Sequence, residues 1–148
     1  MKSSIRTFVL AAIAAVTMAA FAHNASAQIY SRNTSSDYSL SSANVTVNAV
    51  IIGQSGNFTI GGQQAILNNS SQSAYVDCWM STAAGSSTPM PYGLTSAGTV
   101  PAGGELTLSF YGWYSVSGST ELYLVCRTFG ASGSIMAAVG NITAAKVQ

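Results

Sequence analysis

Apolar positions in this chain follow two regimes. From Thr7 to Ala22 they run almost unbroken, rich in Ala, Val and Leu, behind Lys2 and Arg6. From Val45 onward they alternate with polar ones. Val45, Val47, Ala49 and Ile51 share one face, with Thr46 and Asn48 opposite. A period of two is that of a strand with one buried side. Asn57 to Ile60 reads as a short strand, Gly61-Gly62 as punctuation, and Gln63 to Leu67 as the start of another. Ser73 to Met80, Glu105 to Ser115 and Glu121 to Phe129 are further strands. Ser134 to Val147 supplies one or two more around Gly140-Asn141. Gly53 to Gly56, Asn68-Asn69-Ser70-Ser71, Pro101 to Gly104, Ser117-Gly118-Ser119 and Gly130 to Gly133 are turn signals. Ser81 to Gly98 is the least regular stretch. A structureless loop of that length is uncommon in a compact domain, so a short edge strand is expected within it.

No window after the first regime carries a helical period. About seven to nine short strands with frequent turns predict an all-β protein, an antiparallel β-sandwich of jelly-roll or immunoglobulin-like type. The predicted organisation is a signal peptide at 1–27, a flexible, Ser-rich N-terminal segment at 28–42, and a single β-sandwich domain at 43–148.

The first regime has the layout of a Sec-type secretory signal. A positive start precedes an apolar run shorter than the roughly 20 residues of a membrane span. The small residues Ala25-Ser26-Ala27 then suit cleavage after Ala27, with Ala20-Phe21-Ala22 as a second site. The expected location is secreted or periplasmic, with no transmembrane span after cleavage.

Cleavage changes the chemistry that remains. The chain of 148 residues is 48% hydrophobic and only 6% charged. An average soluble domain is about a quarter charged. Beyond residue 27 the three cations Arg32, Arg127 and Lys146 face the four anions Asp37, Asp77, Glu105 and Glu121, a net charge of −1. Nucleic acid is thereby excluded as a partner, since phosphate binding needs clustered Lys and Arg. The only histidine, His23, leaves with the signal. No base of near-neutral pKa then remains for a serine or cysteine nucleophile. No catalytic residue, no metal site and no cofactor is expected, and the protein is read as no enzyme.

Cys78 and Cys126 are the only cysteines. In an oxidising compartment an even count implies a disulfide. Cys78 is in phase with Ala74, Val76 and Met80, and Cys126 with Leu122 and Leu124, so both sulfurs are expected in the apolar layer. Opposite that face stand aromatic residues: Tyr75 and Trp79, Tyr111 and Trp113, Tyr123 and Phe129. If their strands pair, these six rings form one candidate binding face beside Asp77 and Arg127. Intramolecular packing, a subunit interface and a glycan site are the three readings open for it, and exposure separates them.

Five short segments carry a resemblance: Leu67-Asn68-Asn69, Val76-Asp77-Cys78, Gly103-Gly104-Glu105-Leu106, Leu124-Val125-Cys126 and Asn141 to Val147. Over about residues 60 to 148 the chain resembles small exported bacterial β-sandwich domains, jelly rolls of the tumour-necrosis-factor-like kind. The resemblance implies a fold and a trimer, and no reaction. The expected function is an exported, non-enzymatic structural or interaction protein of the bacterial envelope or extracellular space. Its expected partners are further copies of itself or an envelope or matrix component. The alternatives are a carbohydrate-binding module using the aromatic face, and a pilin-like subunit with Val45 to Ile52 as a donated strand.

Overall fold

A computed structural model describes residues 28–91, 94–129 and 134–147. The proposed signal segment and the Gly130 to Gly133 turn lie outside the described residues. Nine strands follow in chain order: β1 (Ile29–Thr34), β2 (Tyr38–Ser39), β3 (Val45–Ile52), β4 (Gly56–Asn68), β5 (Ala74–Ser81), β6 (Thr95–Val100), β7 (Glu105–Val116), β8 (Thr120–Phe129) and β9 (Ile135–Lys146). They form two antiparallel sheets. The first has the order β1-β9-β4-β7, with β2 also paired to β9. The second has the order β3-β8-β5-β6. The predicted all-β sandwich is what the chain forms.

Alternation along the strands fills the space between the layers. Phe58, Ile60 and Ile66 of β4 point inward with Phe110 of β7 and Ile142 and Ala144 of β9. Facing them are Val50 and Ile52 of β3, Val76 and Met80 of β5, and Leu122 and Leu124 of β8. Burying one such aliphatic or aromatic side chain contributes about 1.5–3 kcal/mol. Cys78 and Cys126 belong to the same interior. They are directly opposed in the β5–β8 register, with Cα atoms 4.1 Å apart, and they are bonded. The bridge therefore ties neighbours within one sheet, and the two layers meet through apolar contact and a buried hydrogen bond of 3.1 Å from Asn68 Nδ2 of β4 to the Val100 carbonyl of β6.

Two local expectations change. Gln28 to Ser42, expected as a flexible lead-in, contributes β1 and β2, both paired to β9. Its polar sequence carries no period because β1 lies at a sheet edge, where most of its side chains meet solvent. Gly61-Gly62 does not divide two strands, since β4 runs unbroken through both glycines. A Cβ on Gly62 would collide with the carbonyl oxygen of Asn141 and lie 2.6 Å from Cζ of Phe110. Here glycine makes room for an inward phenyl ring and a close neighbouring strand. Of the one or two strands expected around Gly140-Asn141, the chain forms one, β9.

The irregular stretch after β5 divides in two. Its end is β6, the edge strand of the second sheet. Its beginning folds back over the outer face of that sheet. Trp79 Nε1 donates to the Ser86 carbonyl at 3.0 Å, and the Gly85 N–H donates to Thr46 Oγ1 at 2.8 Å. Met90 N–H donates to the Met80 carbonyl, and Met80 N–H to that of Leu94, each at 2.8 Å. Trp79 points away from the core by alternation, yet this cover leaves it only 2% exposed.

Candidate functional site

The six aromatic residues do not form one face. Strand β7 pairs with β4 in the first sheet, whereas β5 and β8 are neighbours in the second. Tyr111 and Trp113 therefore stand on the opposite outer face of the sandwich from Tyr75, Trp79, Tyr123 and Phe129. A strand's sheet membership is a long-range property, and six alternating aromatics do not encode it.

On the second sheet, Tyr75 and Phe129 are cross-strand partners with ring centroids 6.2 Å apart. Asp77 and Arg127 are the next pair, joined by an ion pair of 3.3 Å. The Arg127 guanidinium sits 4.7 Å from the Phe129 ring and 5.1 Å from that of Trp79. Both partners of the ion pair are partly exposed, so its net contribution is small. Nearer the opposite edge, the Tyr123 hydroxyl donates to Glu121 Oε2 at 2.8 Å. That hydrogen bond raises the Tyr123 pKa above its ordinary value, and desolvation and the Glu121 charge act in the same direction. A raised phenol pKa favours the folded state while the phenol is protonated, and this contribution is lost as pH rises through the folded-state pKa. Absorbance titration should find Tyr123 ionising at higher pH in the wild type than in a Glu121→Gln variant.

The outer face of the first sheet has a different character. Ile29, Ala145, Thr59 and Trp113 align in one row across β1, β9, β4 and β7. Ser31, Thr143, Gly61 and Tyr111 align in the next. The Tyr111 ring lies across Gly61, where a Cβ would stand 3.3 Å from it. Neither row holds a charged side chain. Tyr111 is 72% exposed, Val139 64% and Ile29 63%, and Trp113 is half exposed. Sequence reasoning missed Ile29 and Val139. Ile29 stands in a stretch without a period, and Val139 occupies a register irregularity between β4 and β9.

A third feature is a cleft of about 420 Å³ at the sandwich edge, where β1 and β2 run beside β3. Arg32, Asn48, Glu121 and Tyr123 are among its lining residues. Among the described residues, no three His, Cys, Asp or Glu side chains come together as a metal site, and no helix is long and apolar enough to cross a membrane. Val45–Ile52, the candidate donated strand, is paired with β8 of its own chain.

Neither a family model nor a curated protein matches the chain. Solved structures do match. One is infectious bursal disease virus, Gx strain, at 17% identity and a TM-score of 0.57, over 81% of this chain and 33% of that one. Another is the T=1 particle derived from infectious bursal virus, at 15% identity and a TM-score of 0.56, over 82% and 32%. A third is the Eiger TNF of S. frugiperda, at 9% identity and a TM-score of 0.52, over 82% and 93%. The chain thus spans about a third of the viral chains and nearly all of the Eiger domain. At these identities the common property is architecture, and the chain has the jelly-roll, tumour-necrosis-factor-like β-sandwich fold.

Proposed function

We propose that the protein is an exported, non-enzymatic structural or interaction protein that self-associates through the outer face of its first sheet. The observation that carries this reading is the exposure of Ile29, Tyr111 and Trp113 along two aligned rows without charge, with Val139 exposed farther along β9. Contiguous exposed apolar area on a soluble domain marks an interaction site. The absence of charge from both aligned rows removes repulsion between copies brought face to face. The tumour-necrosis-factor-like architecture is consistent with self-association, and a viral neighbour carries the same architecture in a T=1 particle. The buried disulfide supports export, because such bonds persist in oxidising compartments.

Sedimentation velocity at about 100 μM, far above a micromolar Kd, should show an oligomer. Tyr111→Asp should weaken it at least ten-fold, while Tyr75→Asp on the opposite sheet leaves it unchanged. A wild-type monomer at that concentration would overturn the proposal, as would dissociation caused by Tyr75→Asp alone.

A further inference from the structure

The cleft beside β3 is built unlike a bare surface groove. Its volume of about 420 Å³ falls in the range of small-ligand sites. Arg32 stands on the β1 side, and Glu121 and Tyr123 on the β8 side. These opposite charges do not neutralise each other, since among the described residues the one ion pair is Arg127 with Asp77. Asn48 also lines the cleft. It sits at a register irregularity of β3 and is only 5% exposed. Its Oδ1 accepts the Ala49 N–H at 2.8 Å, whereas its Nδ2 is buried without a partner. Unpaired buried donors are rare in native folds. Asn48 thus lines a space that presents a cation on one wall and an anion on the other.

We infer that the cleft binds a small zwitterion, a free α-amino acid. Its carboxylate faces Arg32, and its ammonium faces Glu121. A carboxylate gives the guanidinium a charged acceptor, the strongest kind. Glu121 already accepts from the Tyr123 hydroxyl, and a carboxylate retains lone pairs for a second donor. A simple anion would be repelled by Glu121 and a simple cation by Arg32. A neutral sugar would leave both charges unanswered. None of Ile29, Tyr111, Trp113 and Val139 lines this cleft, so the inference stands apart from the proposed self-association.

The test is an amide-resolved NMR titration of the purified protein with the standard amino acids in pools, each at about 10 mM, above a millimolar Kd. At least one amino acid should shift the amides of Asn33 to Ser36, Ala49 and Tyr123. Its N-acetyl form and its primary amide, each lacking one charge, should bind at least ten-fold more weakly. Arg32→Gln and Glu121→Gln should each weaken binding at least ten-fold, with the remaining spectrum unchanged. The inference is overturned if no amino acid shifts these amides, if the singly charged analogues bind equally well, or if D-glucose binds there instead.

Discussion

Replacing Cys78 and Cys126 together with alanine should lower the unfolding free energy by about 4 kcal/mol, the chain-entropy value for a loop of this length. The bonded residues are 48 positions apart. For a domain of this size the loss corresponds to a fall in melting temperature of roughly 10–20 °C. Denaturant unfolding of the oxidised wild type and the double variant measures it directly. A difference below about 1 kcal/mol would mean that the unfolded chain is already constrained without the bridge. Because both sulfurs are buried, mild reductant should cleave the bond only as fast as the domain opens. Trapping free thiols over time checks that.

Gly62→Ala should have the second-largest effect, a loss of about 3 kcal/mol, at the upper end of ordinary overpacking. The added methyl meets the Phe110 ring on one side and the Asn141 carbonyl on the other. The first neighbour can be made smaller and the second cannot. Phe110→Leu in the Gly62→Ala background should therefore recover only part of the loss. The double-mutant cycle should show a coupling of at least about 0.5 kcal/mol. Full recovery would mean that β9 yields at Asn141. No loss at all would mean that both strands do.

Much of this fold is legible in the sequence because burial on one side writes a period of two. Leu108 and Phe110 of β7, and Cys126 with its neighbours Leu122 and Leu124, announce their strands in that way. The same phase places both sulfurs inside. What escapes is whatever depends on another part of the chain. Gly61-Gly62 reads as a break by local propensity, and only the position of Phe110 explains its place in mid-strand. Strand β1 has no period because the edge it occupies imposes none. Trp79 reads as a surface ring by phase and is buried by a loop that begins a few residues later. Among candidate site residues, the aromatics are visible individually and their division between two faces is not. The orphaned amide of Asn48 depends on a register irregularity for which the sequence holds no signal.

The pairing order also dictates when the chain can fold. Strand β9 joins β1, β2 and β4 into one sheet, so β1 and β2 have no hydrogen-bonding neighbour until residues 135–146 have been made. In the second sheet β3 waits almost as long, because its neighbour is β8, whereas β5 can pair earlier with β6. Pairings this distant along the chain make for slow folding and leave strand edges open in the meantime. A nascent chain emerging from a ribosome or a translocation pore would thus keep β1, β2 and β3 unpaired until nearly all of it had passed. That suits a threading machine, and it makes holdase chaperones the natural custodians of the waiting strands.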